Sequence, residues 1–210
     1  MINYEVIKKC DFPILKVNGF LSEKDLSLAK DEVVKLSSET QHAKGHMTRE
    51  YERVFVDRVY LGNRENSDIL QIIQKNLFSE EMKEIYSSIR DTSFKLIPNS
   101  SYHETQITFY KNENSYDWHT DEILSRVINW ILYIDIDSDF TGGENEISND
   151  EHMPDSDTKP YNVDISTKPK DNMLLLMPSW VTHRVAPVFC KHEDKLRGRI
   201  TINGHIGFAR

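Results

Sequence analysis

Val127-Ile128-Asn129-Trp130-Ile131-Leu132-Tyr133-Ile134-Asp135-Ile136-Asp137 is the stretch whose reading decides the fold. Successive side chains of a β-strand point to opposite faces. Ile128, Trp130, Leu132, Ile134 and Ile136 then share one face, and Asn129, Ile131, Tyr133 and Asp135 the other. A helix would scatter the same residues around its circumference. Alternation returns in residues 106–110 and 199–203, and residues 173–177 form a short apolar run suited to a core strand. Turn signals lie between them at Asn112 to Asn114, Gly142-Gly143, Pro178-Ser179 and Gly204.

Nearer the N-terminus the period changes. Residues 13–20 read as a short strand. Leu26, Ala29, Val33 and Leu36 then recur at helical spacing behind Ser22, an N-cap candidate with Asp25 three residues on. Residues 67–90 give a second helical stretch, apolar at Ile69, Ile72, Ile73 and Leu77 and again at Met82, Ile85 and Ile89, with a break near Ser79. Helices first and strands after predict an α+β, mainly β chain, its helices packed on a β core of two layers or a barrel. Residues 148–170 are acidic and hold Pro154, Pro160 and Pro169, which predicts a long loop, either a lid or a solvated connection.

The 210 residues suit one domain, 1–210, with a strand and supporting helices over 1–100 and a β core over 101–210. A net charge of −8 disfavours nucleic acid as the partner. Cys10 and Cys190 form neither a disulfide framework nor a CxxC pair. Residues 1–12 lack the apolar core of a secretory signal, and no apolar run approaches the ~20 residues that span a bilayer. A soluble, cytoplasmic protein is expected, and nothing in the sequence speaks to its oligomeric state.

Chemistry concentrates in His119-Thr120-Asp121. On a strand, positions i and i+2 face the same way, so both side chains can reach one metal ion. His183, beyond the Pro178-Ser179 turn, offers a third ligand from a neighbouring strand. Two histidines and one carboxylate on one face of a metal leave positions open for a bidentate 2-oxo acid and dioxygen. An HxD pair alone is as well read as an ordinary polar segment, and His42, His46, His103, His152 and His192 have no such company. Arg199, Thr201, Asn203 and His205 share a polar face opposite Ile200, Ile202 and Ile206. That face is either exposed or lines a pocket in which an Arg fork meets a carboxylate. Tyr110 and Tyr133 lie on the polar faces of their strands. Arg197 and Arg199 share strand parity, so periodicity does not separate them; the spacing to Thr201 and Gly204 favours Arg199.

These residues resemble a known family. Tyr116-Asp117-Trp118-His119-Thr120-Asp121 is similar to a YxxHxD segment, and Val127 to Gly143-Glu144 to a strand, loop and GGE turn. The run from Leu176 through Pro178-Ser179 and His183-Arg184-Val185 to Pro187-Val188 is similar to an fPS…HRV.PV segment. Arg199 to Gly204 is similar to an RxSxxG terminal strand. In this order, over roughly half the chain, the segments resemble the prolyl 4-hydroxylase-like branch of the 2-oxoglutarate/Fe(II) oxygenases.

The resemblance implies a double-stranded β-helix (jelly-roll) core braced by the N-terminal helices. It implies Fe(II) on His119, Asp121 and His183, and 2-oxoglutarate with its distal carboxylate on Arg199 and Tyr133. Tyr110 resembles a further pocket tyrosine, and Thr201 matches a position that is often hydroxylated. Relatives often use ascorbate to rescue oxidised iron. The implied activity is hydroxylation of a C–H bond with release of succinate and CO2, on a peptidyl, prolyl-like or small-molecule substrate. An aromatic residue often stands where this chain has His205. Two rival classes remain, a non-catalytic jelly-roll binding protein and a cupin-like metalloenzyme. Dependence on iron and 2-oxoglutarate separates them.

Overall fold

A computed structural model describes residues 2–43, 48–49, 51–100, 102–123, 125–150 and 161–208. In chain order its elements are β1 (Asn3–Ile7), β2 (Ile14–Asn18), α1 (Glu23–Leu36), β3 (Gln41–Ala43), β4 (Thr48–Arg49), β5 (Tyr51–Phe55), α2 (Val56–Val59), α3 (Asp68–Leu77), α4 (Glu80–Ser88) and α5 (Thr92–Leu96). The strands β6 (Tyr102–His103), β7 (Gln106–Tyr110), β8 (Ser115–His119), β9 (Arg126–Ile134), β10 (Phe140–Gly142) and β11 (Asn145–Ser148) follow. The last are β12 (Ile165–Thr167), β13 (Met173–Pro178), β14 (Thr182–Val185), β15 (Val188–Cys190) and β16 (Arg199–Gly207).

Two antiparallel sheets lie face to face, the architecture of a double-stranded β-helix, and β10 pairs with β15 as a separate two-stranded ribbon. Among the described residues the larger has the order β1-β2-β13-β9-β16-β7-β5-β3, with β6 beside β16, and the smaller β12-β11-β14-β8-β4. The apolar face of β9 decides which side is core. Ile128, Trp130, Leu132 and Ile134 join Ile107, Phe109, Ile200, Ile202 and Ile206 beneath α1, α3, α4 and α5. The polar face of the same strands looks toward the smaller sheet. Alternation along β9 and β16 thus sorts the large sheet into a helix-packed side and a side free to hold chemistry.

The helices begin where side-chain oxygens replace missing backbone acceptors. Ser22, Ser67 and Ser79 each accept from the amide three residues on. At α3 the cap is double, because Glu32 of α1 also accepts from the Ile69 amide at 2.6 Å. Ser67 is fully buried. Ser67→Ala is expected to cost ~1–2 kcal/mol, seen as a lower urea midpoint at unchanged slope; an unmoved midpoint would assign the capping to Glu32 alone.

Three expectations are corrected. Helices do not simply precede strands: besides β2, the strand expected at residues 13–20, β1, β3 and β5 also join the large sheet, and strands of three to five residues give little periodic signal. The stretch 148–170 is not all loop, since Ile165–Thr167 pairs with β11; residues 151–160, and with them Glu151, Asp155 and Asp157 of the expected lid, lie outside the described residues, as does His46. Arg197 does not share the strand of Arg199. It ends a single 3-10 turn, Lys195–Arg197, before Gly198. A Cβ on Gly198 would come within 2.1 Å of the Tyr110 carbonyl oxygen, so this glycine lets β16 start against β7.

Candidate active site

His119 closes β8, and His183 stands directly opposite it on β14. Directly paired residues point to the same face, which here is the inner face of the smaller sheet. One extra residue in β8 before this pair forms a bulge between His183 and Val185, a device that re-aims side chains beside sites. Asp121 arrives differently from its expected place on a strand. It lies beyond the end of β8, held by its backbone amide to the Ser179 carbonyl at 2.9 Å. Ser179 is itself tied to β9, through its amide to Val127 and its hydroxyl to the Arg126 carbonyl. The Pro178-Ser179 turn therefore carries Asp121 to the histidines.

The three donors converge. Asp121 Oδ2 is 3.4 Å from His183 Nε2 and 3.8 Å from His119 Nε2, and all three ligand atoms lie within 4.8 Å of one another. Donors ~2.1 Å from one ion at right angles stand ~3 Å apart, so the cage fits an octahedral ion after a small closure. Each imidazole is oriented from behind. His119 Nδ1 meets the Asp117 carbonyl at 2.7 Å and His183 Nδ1 the Val181 carbonyl at 2.9 Å. A ring that donates from Nδ1 leaves the Nε2 lone pair for a metal. Burial alone would raise the Asp121 carboxyl, but the hydrogen bond from His183 and the neighbouring His119 hold it well below the usual range. It is an anion at any physiological pH.

Behind Asp121 runs a chain the sequence did not disclose. Asn129 Nδ2 donates to Asp121 Oδ2 at 2.6 Å, and Asn129 Oδ1 lies 2.6 Å from His205 Nδ1. Because the carboxylate can only accept, the amide must donate toward it, and His205 must carry its proton on Nδ1. Burial, with Arg126 adding to it against Asp121 and Glu104, lowers His205 to about 4, so it is neutral. His205 thus replaces an aromatic side chain with a hydrogen-bond donor. The only available signal was that Asn129 and His205 occupy polar faces.

A cavity of about 290 Å³ opens between the sheets, with His119, Asp121 and His183 in one wall and Tyr110, Arg199, Thr201, Asn203 and His205 in another. Arg199 is buried, and its Nε donates to the Gly143 carbonyl at 2.8 Å. Its guanidinium lies over the rings of Tyr110 and Tyr133, 4.9 and 5.1 Å from their centroids. A Cβ on Gly143 would come within 2.8 Å of Arg199 Cδ, and φ at Gly143 is +69°, so the Gly142-Gly143 turn is shaped around this arginine. Among the described residues no carboxylate pairs with Arg199. Arg197 instead faces Asp137 and Asp139 at 3.6 and 3.7 Å.

Two polar groups near Arg199 lack partners. The Tyr133 hydroxyl and both amide atoms of Asn145 are buried without a hydrogen bond among the described residues. Burial raises the Tyr133 phenol, so it can donate. The buried cation and the unsatisfied Asn145 amide both line the cavity, with Tyr133 packed against Arg199, and such a lining suits a carboxylate-bearing ligand. Thr201 sits differently: its hydroxyl is engaged by Thr108 at 2.5 Å and by Asn203 at 3.1 Å. Tyr51, which stacks on Tyr110, and Tyr116, whose phenol burial pushes up to about 12, complete the aromatic wall.

Comparison with known proteins agrees. The model of the 2OG-Fe(II) oxygenase superfamily matches residues 105–207, which include all three converging donors and Arg199. No curated protein matches the sequence. Among solved structures the fold is similar to a prolyl-4-hydroxylase from Pseudomonas putida, at 16% identity and TM-score 0.56, over 95% of each chain. It is also similar to a Trichoplax adhaerens prolyl hydroxylase solved with a hypoxia inducible factor oxygen degradation domain peptide, at 14% identity and TM-score 0.61, over 92% of this chain and 83% of that one. The α-ketoglutarate-dependent epimerase SnoN of nogalamycin biosynthesis scores 0.61 at 9% identity, over 93% and 78%. Among the described residues no helix is long and apolar enough to cross a membrane. With the matched strands, two histidines and a carboxylate converging in the cavity they form, and an arginine waiting across it, the chain belongs to the 2OG-Fe(II) oxygenase superfamily.

Proposed function

We propose that this protein hydroxylates a C–H bond of a peptidyl, prolyl-like substrate, with iron held by His119, Asp121 and His183 and 2-oxoglutarate anchored by Arg199 and Tyr133. The convergence of three metal donors in one cavity with an arginine that lacks a counter-ion among the described residues carries the reading. Bound Fe(II) and 2-oxoglutarate would supply the oxidising power by consuming dioxygen and releasing succinate and CO2. The side chains supply position. Asn129 and His205 fix Asp121, the Asp117 and Val181 carbonyls fix the imidazoles, and Tyr110 with Tyr133 fixes the plane of the Arg199 guanidinium. Thr201 holds Thr108 and Asn203 in place on the floor. Peptide substrates are supported by the likeness to prolyl hydroxylases, one of them solved with a peptide. Residues 1–210 are read as one domain in which the helices brace the large sheet. A reducing, cytoplasmic setting fits Fe(II) and the unpaired Cys10 and Cys190, with ascorbate as the reductant that keeps iron ferrous.

The test is anaerobic. Fe(II) followed by 2-oxoglutarate should produce the weak visible absorption of the chelate in the apo protein. Iron binding without that absorption would point to a cupin-like enzyme, and no iron binding to a binding module. Asn145 gives an independent check. A buried amide with neither atom satisfied costs ~1–3 kcal/mol, so Asn145→Leu is expected to raise the unfolding midpoint of the ligand-free protein while weakening 2-oxoglutarate binding. A lower midpoint with unchanged affinity would remove Asn145 from the pocket's function.

A further inference from the structure

We propose that the substrate carries a carboxylate, bound by Arg53 and Arg58 where the cavity opens to solvent; this rests on the oxygenase reading above. The cavity is lined by four arginines, Arg53, Arg58, Arg126 and Arg199, against two carboxylates, Glu104 and Asp121. Arg126 is taken up by Glu104, through Nε at 3.0 Å and Nη2 at 2.6 Å. A divalent ion and dianionic 2-oxoglutarate cancel one another, and Arg199 offsets Asp121. The loaded cavity then retains two uncompensated positive charges, Arg53 and Arg58, in a chain whose net charge is −8.

Their geometry is as specific as their charge. Both guanidiniums lie over the ring of Phe55, with Cζ at 4.5 Å for Arg53 and 4.1 Å for Arg58. Stacking on one ring positions both cations at the cavity without neutralising either. Among the described residues neither has a carboxylate within ion-pair distance, whereas Arg64, Arg126, Arg184 and Arg197 each have one. The neighbouring carboxylate, Asp57, is engaged by Arg64 and by the Thr105 amide. Beside the pair, the Thr105 hydroxyl lines the cavity, 1% exposed and with no hydrogen-bond partner. Arg58 is exposed and Arg53 half-buried, so both are open to an incoming group. A carboxylate held by these guanidiniums would reduce the excess positive charge of the loaded cavity and form charge-assisted hydrogen bonds. It could be an acidic side chain of a peptide or the free acid of a small molecule.

The protein, loaded with Fe(II) and 2-oxoglutarate, would be offered prolyl peptides identical except for Glu, Gln or Lys beside the proline, and separately N-acetylproline and its amide. Succinate release and binding are read for each. Glu peptides are expected to exceed Gln peptides on the order of tenfold, with Lys peptides weakest. A preference for N-acetylproline over its amide, with no response to peptides, would place the carboxylate on a small molecule instead. Arg53→Gln with Arg58→Gln should erase the discrimination, and Arg58→Glu should turn it toward Lys peptides. Equal response to charged and neutral members, no response to any acidic member, or discrimination that survives in the double variant would overturn the proposal. The chelate absorption of the parent protein separates the two readings, since its absence defeats the oxygenase assignment rather than this one.

Discussion

Replacing His183 with alanine is expected to abolish Fe(II)-dependent turnover and to weaken metal binding by more than about 100-fold. That bound follows from position. Losing an outer partner of a metal ligand costs 10–100-fold in typical sites, and His183 stands one step closer. Asn129→Ala, which frees Asp121 Oδ2 without touching a donor, should fall inside that outer range. Equilibrium dialysis of Fe(II), with thermal unfolding to verify the fold, measures both. Full activity in the His183 variant would dismiss the three-donor site, and equal losses in the two variants would mean that the fold, not the metal, had been damaged.

Arg199→Ala should raise the 2-oxoglutarate requirement about 100-fold, because a charge-assisted hydrogen bond in a buried site is worth up to ~3 kcal/mol. Arg197→Ala should leave that requirement unchanged, since Arg197 faces Asp137 and Asp139 outside the cavity. Titration of the chelate absorption reads both without a substrate. If the Arg197 variant is the impaired one, the anchor is misassigned. A control comes from stability. A buried arginine without a counter-ion is a liability until its ligand arrives, so Arg199→Met should unfold at a higher temperature than the parent when both are ligand-free. Destabilisation would make Arg199 a structural residue.

What could be read from the sequence was what obeys a period. The alternation expected at residues 127–137 holds as far as Ile134, where β9 ends, and sorts side chains between helices and cavity, and Ser22, Ser67 and Ser79 start helices because an oxygen at that spacing meets an open amide. Where position depends on a distant backbone, periodicity fails. Asp121 reaches the histidines through the Ser179 carbonyl, not through strand parity. Arg197 shares the parity of Arg199, yet a 3-10 turn ends between them. Asn129, Asn145 and His205 look like any polar residue on an alternating strand until the neighbouring strands are in place. Arg53 and Arg58 lie far in sequence from every motif and join the cavity only because β5 pairs with β7.

The carbonyls of Asp117 and Val181 have a consequence for which metal is found. They fix which nitrogens face an ion, not which ion it is, and two imidazoles with a carboxylate suit several first-row divalent metals. Affinity among first-row divalent ions then follows their intrinsic order, in which Fe(II) ranks below cobalt, nickel, copper and zinc. Protein purified aerobically is therefore expected to carry whichever of these the medium supplied, and occupancy by iron becomes a matter of the cell's metal supply.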